Sequence, residues 1–331
     1  MSFSRKSILI DPAAETERLV GELRRWIRQL KRGGAVLGVS GGVDSATVLG
    51  LAVRAFGPGR VIALNLPERD SDPLSEILAG EVCSKFGVTP IREDIRDALE
   101  GFGCYRRRDE AIRRVIPEYD AGKGYKAKIV LPQNLLDEDT LNVFSVVVLT
   151  PGGMELTEPL PPAEFLQIVA ASNFKQRTRM AMVYYHAELR NYAVLGTANK
   201  NEHDQGFFVK YGDGGVDLKV IGHLFKTQVY QLAEYLGVPE SIRSRPPTSD
   251  TYSAPCDQQE FFFRLPFETM DLLWYAMLHE VPASETAQVM GLTEQQVQRA
   301  YADFSRKERT TDYLRRAPID LSAPPFQEPA P

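Results

Sequence analysis

A short polar stretch, SGGVDS over residues 40–45, interrupts a run of apolar residues near the start of the chain. Consecutive small residues let backbone N–H groups curve around an anion, and a helix that begins there adds partial positive charge. The stretch is not a Walker A loop, because no Gly-Lys-Ser/Thr follows, and it lacks the G-x-G-x-x-G dinucleotide spacing. Asp44 puts a carboxylate inside the anion cradle, which favours a site where Mg²⁺ accompanies phosphates over a turn that only packs a helix.

The segments around this loop alternate between predicted helices and strands. Asp11-Pro12 is typical of a helix N-terminus, and apolar residues from Leu19 to Leu30 recur with a helical period. Apolar runs predict buried strands over 35–39, 61–66 and 88–92, with helices over 46–56 and 72–86 between them. This alternation predicts a doubly wound parallel α/β sheet flanked by helices. Ligands bind such sheets where strand C-termini meet helix N-termini, and SGGVDS lies at such a junction.

The α/β pattern stops at about residue 96 and returns after about residue 171. We interpret 96–171 as an insertion that contains a β-hairpin, since a Val-rich run over 140–150 is followed by Pro-Gly-Gly and a second run over 154–157. The basic residues of the insertion predict a face exposed to solvent, and the alternative is that they bind a phosphate group. A helix is predicted over 173–190, a strand over 192–195 and a helix over 226–236.

Composition restricts the class of protein. The 331 residues carry a net charge of −5, which argues against a protein that coats nucleic acid. Three scattered cysteines without a CxxC pair predict reduced thiols in a cytoplasmic protein, and no apolar run has the length of a membrane span. We expect one domain over 1–317, with a helical part at about 257–317 and a disordered proline-rich tail over 318–331.

Three separated motifs give the chain a family resemblance. SGGVDS matches the SGGxDS loop of the N-type ATP pyrophosphatases, or PP-loop enzymes. The segment GTANKNEHDQGFFVKYGDGGVDLKVIGHLFKTQVYQLAEYLGVP, residues 196–239, resembles the core signature of NAD synthetases. NFKQRTRM, residues 173–180, resembles their N-x-x-A-R-x-R-M segment, with Gln176 in place of Ala. The resemblance covers about Asp11 to Lys307, apart from the insertion.

The resemblance implies a fold, a reaction and a set of site residues. The fold would be of the adenine nucleotide alpha hydrolase type. ATP would be cleaved between its α and β phosphates, deamido-NAD⁺ would be adenylated, and ammonia would displace AMP to give NAD⁺. Asp44 and Lys226 would be catalytic, and Asp44 and Glu202 would hold Mg²⁺. The implied ATP contacts are Gly38, Ser40, Gly41, Gly42, Val43, Asp44, Ser45, Thr197, Lys226 and Thr248. The implied deamido-NAD⁺ contacts are Arg177 or Arg179, Lys210, Asp217 and Lys307.

The resemblance also suggests which partners the chain has. About 35 residues precede the SGGVDS loop, too few for a glutaminase domain, and no cysteine has a recognisable nucleophile setting. We therefore expect free ammonia, or ammonia supplied by a separate glutaminase. NAD synthetases resemble one another in forming dimers, which implies a homodimer. No nucleic-acid or membrane partner is expected.

The C-terminal third departs from the family pattern. DQQEFFF over 257–263 replaces an acidic pair followed by Leu-Gly, and Arg306-Lys307 replaces a His-Lys pair. We expect the three phenylalanines to pack in a core or subunit interface rather than stack on a base. Two alternative functions stay open: a PP-loop enzyme that adenylates another acceptor, as GMP synthetase does, and a nucleotide-sensing DNA-binding regulator. The regulator rests on the helix-turn-helix spacing of ASETAQVMGLTEQQVQRAYADF, residues 283–304.

Overall fold

A parallel five-stranded sheet lies at the centre of the structure, a computed structural model that describes residues 3–132, 135–136, 143–248, 251–258 and 262–322. The first half of the fold supplies three strands and three helices. They are α1 (Pro12–Gln29), β1 (Ala35–Gly38), α2 (Val43–Phe56), β2 (Val61–Asn65), α3 (Pro73–Lys85) and β3 (Ile91–Arg92). The predicted doubly wound parallel sheet is confirmed, and each of these elements overlaps its predicted range.

The remaining elements alternate less regularly. They are α4 (Arg96–Gly101), α5 (Cys104–Val115), β4 (Lys126–Val130), β5 (Ser145–Leu149), β6 (Glu155–Pro159), α6 (Pro162–Arg190), β7 (Ala193–Gly196), α7 (Lys200–Gln205), β8 (Leu218–Lys219), α8 (Lys226–Leu236), α9 (Glu240–Arg243), α10 (Phe267–Leu278), α11 (Ala283–Met290), α12 (Glu294–Thr310) and α13 (Asp312–Arg315). Strands β7 and β8 join the central sheet, and β4 to β6 form a separate antiparallel sheet.

The strand order of the central sheet explains where the SGGVDS loop lies. The order is β3-β2-β1-β7-β8, with every neighbouring pair parallel. The chain runs outward from β1 to β2 and β3 on one side, then crosses to β7 and β8 on the other. The order therefore reverses beside β1, and the C-terminal edge of β1 is the topological switch point at which such sheets bind ligands.

Alternate residues of β1 face opposite layers of helices. Ala35 and Leu37 pack with α1, α2, α3 and α8, whereas Val36 packs with α4 and α6 on the other face. All three side chains are fully buried. Since successive side chains of a strand point to opposite faces, a continuous apolar run is required when helices cover both faces.

The insertion is more ordered than the sequence predicts. The hairpin is present as β5 and β6, which pair antiparallel with Ser145 opposite Pro159. A third strand, β4, pairs with β5, and α4 and α5 precede it. Helix α6 begins at Pro162, before its predicted start at 173, and the proline ring fixes the φ angle of the first helical turn.

Two further predictions concern the C-terminal third. Phe263 is fully buried and contacts Phe207 edge-on, while Phe262 stacks on Phe207, so these two phenylalanines pack in a core as expected. Residue 261 lies outside the described residues, and so do 323–331 of the predicted disordered tail. The described part of that tail, residues 318–322, contains no helix or strand.

Candidate active site

The SGGVDS loop turns sharply between β1 and α2. Gly41 has a φ of +77°, and a Cβ at this position would lie 2.6 Å from the carbonyl oxygen of Ser75, so only glycine fits. Ser45 Oγ donates to the Gly42 carbonyl at 3.0 Å and accepts from the Ser40 amide at 3.3 Å. Gly42 is the N-cap of α2 and has no side chain to cap the first amides, which leaves them to bind an anion.

Asp44 is the second residue of α2, which begins at Val43, three residues before the predicted start at 46. Its carboxylate forms an ion pair with the ammonium of Lys226, the first residue of α8. Its other oxygen accepts from Asn199 Nδ2 at 3.1 Å. Lys226 is 1% exposed. Burial alone would lower the pKa of Lys226, but the charges of Asp44 and Glu202 outweigh burial and raise it.

Glu202 supplies a second carboxylate beside this pair. One oxygen accepts from the Asn199 amide at 3.1 Å, as part of the capping box that starts α7, and the other accepts from Gln258 Nε2 at 3.2 Å. Removal from water and the negative charge of Asp44 raise the pKa of Glu202 to about 8. A carboxylate whose ionisation is disfavoured by a neighbouring carboxylate is typical of a cation site.

The donor set fits Mg²⁺ rather than a metal held by protein alone. The described residues contain no group of three or more His, Cys, Asp or Glu side chains able to hold a metal. Mg²⁺ is usually bound by one or two carboxylates together with substrate phosphates and water. Asp44 and Glu202 supply two carboxylates next to the anion-binding loop, and this matches that requirement.

The start of α8 is held in place by the helical C-terminal part. Asp271 of α10 is fully buried and accepts from the Thr227 amide at 2.8 Å and from Thr227 Oγ1 at 2.7 Å. Asn201 donates to Asp271 and accepts from the Lys226 amide at 3.0 Å. Burial raises the pKa of Asp271 to about 6. These contacts fix the backbone that carries the Lys226 ammonium.

A cavity of about 1180 Å³ opens over the loop and extends toward α6 and the C-terminal segment. It is large enough for a nucleotide together with a second substrate. The sequence-predicted residues that line it are Gly38, Ser40, Gly42, Val43, Asp44, Ser45, Arg177, Arg179, Thr197, Glu202, Lys210, Lys226 and Thr248. Gly41, although part of the loop, does not line the cavity and instead packs against α3.

A family model described as NAD synthase matches residues 15–115 and 148–317. The chain belongs to the NAD synthase family. The unmatched residues 116–147 fall within the predicted insertion. The predicted family resemblance is therefore confirmed across both halves of the chain.

Individual relatives of the NAD synthase family agree with this. The chain is 48% identical over 316 residues to the NH(3)-dependent NAD(+) synthetase of Rhizobium meliloti, covering 96% of this chain and 94% of that one. It is 49% identical over 313 residues to the protein of that name in Mesorhizobium japonicum, covering 94% and 97%. An NH3-dependent NAD synthetase from Campylobacter jejuni, solved with nitrate, has a TM-score of 0.61 at 21% identity, covering 94% and 100%; this likeness shows the fold.

The NAD synthase match favours NAD synthesis over both alternative functions. The helix pair behind the DNA-binding alternative corresponds to α11 and α12, whose buried residues include Val297, Ala300 and Phe304. Phe304 packs edge-on against Trp274 of α10. This face of the second helix is therefore part of a core. Among the described residues, no helix is long and apolar enough to span a membrane.

Two predicted substrate residues do not line the cavity. Asp217 accepts from the Val194 amide at 2.8 Å and from the Tyr184 hydroxyl at 3.1 Å, so it ties β7 to α6. Lys307 is buried in α12, where it donates to Asp303 at 2.9 Å and to the Phe262 carbonyl at 2.9 Å. Burial lowers the pKa of Lys307, although the Asp303 charge opposes this. At the family's His-Lys position, the lysine of this chain therefore forms an internal ion pair with Asp303.

Two predicted substrate residues, both arginines of α6, donate to backbone carbonyls. Arg177 is exposed on α6, and its Nε donates to the Lys210 carbonyl at 3.2 Å. Arg179 Nε instead donates to the Leu66 carbonyl at 3.2 Å, just after β2. Both arginines line the cavity. Arg177 also borders a second cavity of about 570 Å³ beside Lys210, so it faces more of the open space than Arg179 does.

A cluster of six charges, four of them buried, supports the cavity wall and was not predicted from the sequence. Its members are Glu68, Arg69, Asp70, Arg108, Asp109 and Lys175. Lys175 of α6 is fully buried and donates to Glu68 at 3.0 Å, to Asp70 at 2.6 Å and to the Thr251 carbonyl at 2.9 Å. Arg108 of α5 pairs with Asp70 and with Asp109.

The cluster joins the insertion to the site. Tyr105 of α5 donates to Glu68 at 2.8 Å and carries the Arg69 guanidinium 4.0 Å above its ring. Glu68 and Arg69 line the cavity. Burial would raise the pKa of Asp70, but the charges of Lys175 and Arg108 hold it well below its usual range. The loop after β2 is therefore fixed by charges from α5 and α6.

We expect Lys175→Met to lower the free energy of unfolding by about 3–5 kcal/mol, because it leaves Glu68 and Asp70 buried with one cation fewer. Lys85→Met, an exposed change on α3, is the control and should alter it by less than about 0.5 kcal/mol. Urea unfolding at pH 7 measures both. The depressed Asp70 pKa stabilises the fold above an unfolded-state pKa of about 4, so this stabilisation is lost as pH falls below that value. Equal midpoints for the two variants would contradict the prediction.

Proposed function

We propose that this chain is an ammonia-dependent NAD synthetase, which converts deamido-NAD⁺, ATP and ammonia to NAD⁺, AMP and pyrophosphate. The observation that carries the proposal is the ion pair between Asp44 of the SGGVDS loop and the buried Lys226 of α8. It joins an anion-binding loop to the segment that resembles NAD synthetases, in a chain of the NAD synthase family. Adenylation of another acceptor has no comparable support.

The first chemical step is adenylation of the acceptor. A nicotinate carboxylate oxygen bonds to the α-phosphorus of ATP, and the bond from that phosphorus to the β-phosphate oxygen breaks. The loop amides and the Lys226 ammonium would stabilise charge on the departing pyrophosphate. Thr197 and Thr248 would contact ATP from the cavity wall. No covalent enzyme intermediate is needed, because positioning and electrostatics can lower the barrier.

Asp44 and Glu202 would hold Mg²⁺ together with the phosphates. The metal would supply positive charge that neutralises the phosphate oxygens. Asp44 would then contact both the metal and Lys226. The raised pKa of Glu202 supports this role, since a nearby cation would favour its charged form.

The second step joins ammonia to the activated carbonyl carbon, and the bond to the AMP oxygen breaks. Ammonium must lose a proton before its nitrogen can attack. Asp213 is the carboxylate that we assign to accept it. It lines the cavity, it affects Glu202 electrostatically, and its one oxygen accepts from the Val209 amide at 2.8 Å. Burial raises the pKa of Asp213 to about 6, which leaves it ionised at neutral pH.

The acceptor would lie along α6 and the segment around residue 210. Arg177 and Lys210 are our candidates for contacts with deamido-NAD⁺, because both border the main cavity and the second one. Arg179 would hold the loop after β2 in place through its hydrogen bond to the Leu66 carbonyl. Asp217 and Lys307 line neither cavity, but each contacts a residue that does, Tyr184 and Phe262 respectively, so they would support the acceptor site through these neighbours.

We also propose a homodimer formed through α6. Arg177, Ala181, Tyr185 and Leu189 follow one another at four-residue spacing and are all exposed. Tyr185 is 55% and Leu189 is 63% exposed, which a second copy of the chain would cover. Light scattering should give twice the chain mass of 37.0 kDa; the mass of a monomer would exclude the dimer.

We also propose that the protein is cytoplasmic and that it uses free ammonia. All three cysteines are buried thiols that form no disulfide, which suits a reducing compartment. A separate glutaminase is the alternative source of ammonia. In the assay below, glutamine should not replace ammonium; equal turnover with glutamine alone would contradict an ammonia-dependent chain.

The proposed reaction can be tested with ATP, Mg²⁺, ammonium and deamido-NAD⁺. We expect AMP, pyrophosphate and NAD⁺ in equal amounts, and ADP formation would exclude the PP-loop reaction. Asp44→Asn should lower kcat by at least about a hundredfold, because it removes a charge beside the phosphates. Ser241→Ala, an exposed change on α9 at a position that does not line the cavity, is the control and should retain wild-type kcat. AMP formation with xanthylate but not deamido-NAD⁺ would instead support the GMP synthetase alternative.

The role of Asp213 predicts a pH dependence. Ionised Asp213 accepts the proton, so kcat/KM for ammonium should fall roughly tenfold per pH unit below about pH 6, beyond the change in free ammonia. Asp213→Asn should lower this parameter about a hundredfold at pH 8 and remove the limb near pH 6, while KM for ATP stays unchanged. Steady-state kinetics over pH 5–9 measure both. Wild-type ammonium kinetics in the variant would exclude Asp213 as the base.

A further inference from the structure

The ammonium of Lys210 is held by the C-terminal segment. Lys210 Nζ donates to the Tyr313 carbonyl at 2.9 Å and to the Arg316 carbonyl at 2.9 Å. These two carbonyls belong to a short stretch, residues 311–316, that we call the C-terminal strap. A lysine ammonium has three N–H donors, so the strap uses two of them and one stays for another acceptor.

Arg315 anchors the strap to α7 and α12. Its guanidinium donates to the Asp204 carbonyl at 2.9 Å, to the His203 carbonyl at 3.3 Å and to the Glu308 carbonyl at 2.5 Å. It also donates to Thr311 Oγ1 at 3.1 Å. One side chain thus ties the strap to carbonyls of two helices, while the strap's own helix, α13, has only four residues.

A second contact seats the strap on α7. Thr311 lies against Gly206, where a Cβ would come within 2.2 Å of Thr311 Cβ. Gly206 also has a φ of +78°, so two independent constraints favour glycine there. The close approach brings the strap beside the segment that carries Lys210.

The strap borders the open space that the acceptor would occupy. Thr311, Tyr313 and Leu314 line the main cavity, and Leu314, Arg315 and Arg316 line the second one. Lys210 borders both. The strap therefore contacts the predicted acceptor site directly, and it holds that site's lysine through backbone atoms rather than side chains.

We propose that the C-terminal strap positions the Lys210 ammonium for an anionic group of the acceptor, and that Arg315 is the positioning residue that keeps the strap docked. This inference rests on the proposed function for the identity of the acceptor. The two carbonyls fix the direction of the ammonium, and the third N–H donates to a phosphate or carboxylate. Preorganisation of this kind reduces the entropy lost when the acceptor binds.

The kinetic test compares Arg315→Ala with Arg309→Ala, an exposed arginine on α12, in the full-length chain. We expect Arg315→Ala to raise KM for deamido-NAD⁺ about tenfold, with kcat and KM for ATP near wild type, since it removes binding that is uniform along the reaction. Arg309→Ala should match the wild type. A lower KM in Arg315→Ala would show that the strap blocks the site and would overturn the proposal. A lower melting temperature with unchanged KM would show a purely structural role and would also overturn it.

A double-mutant cycle tests whether Arg315 acts through Lys210. Lys210→Met should raise KM for deamido-NAD⁺, and adding Arg315→Ala to it should raise KM no further, because the group being positioned is already absent. Multiplied effects in the double variant would overturn the proposal. Arg315→Lys, which keeps a charged donor, should restore part of the wild-type KM.

A labelling experiment separates this inference from the proposed function. Acetylation of lysines by an N-hydroxysuccinimide ester, followed by mass spectrometry, reports the accessibility of Lys210 without any substrate. We expect Arg315→Ala to increase the labelling rate of Lys210 several-fold relative to that of Lys85, whereas Arg309→Ala leaves it unchanged. An unchanged rate in Arg315→Ala would overturn the strap, while failure of the wild type to form AMP would overturn only the proposed function.

Discussion

The ion pair between Asp44 and Lys226 is the interaction on which the rest of the site depends. It joins the loop after β1 to the start of α8 across 182 residues of sequence. Both ends are held independently. Asp44 is held by the first turn of α2 and by Asn199, and Lys226 is held by Asn201 at its own amide and by Asp271 at the amide of the next residue. A charge buried as deeply as the Lys226 ammonium is stable only with a partner of opposite charge. The segment that carries Lys226 must therefore pack against the loop that carries Asp44.

The peripheral parts of the chain also hold the elements of the site in place. The helical C-terminal part supplies Asp271, which fixes α8, and the insertion supplies Arg108 and Tyr105, which fix the loop after β2. In each case a buried carboxylate or guanidinium is satisfied by a group from a distant segment. Buried polar networks of this kind give a defined geometry only when each member has its partners, which explains why these segments pack against the site instead of extending from it.

The sequence was sufficient for features that depend on local pattern and insufficient for those that depend on distant contacts. Continuous apolar strands and the SGGVDS loop predicted the sheet and its switch point. The residues Glu202 and Lys226 followed from a family motif. Lys175 lies inside the NFKQRTRM motif, but no local pattern predicts its role, because nothing local shows that a lysine in a helix will be buried against Glu68 and Asp70. Lys307 shows the opposite case. Its position in the family pattern predicts a contact with the substrate, and only the packing of α12 shows that it pairs with Asp303.

The charges at the loop also explain why a cation belongs to the proposed reaction. Asp44 and Glu202 share one ammonium, that of Lys226, and the pKa of Glu202 rises to about 8 because this single positive charge does not offset burial and the neighbouring carboxylate. ATP would add further negative charge at the same place. A protein without a bound metal would have to protonate Glu202 or repel the phosphates, whereas a divalent ion removes both costs. The arrangement that disfavours ionisation of Glu202 in the free protein would therefore favour binding of nucleotide and metal together in the proposed reaction.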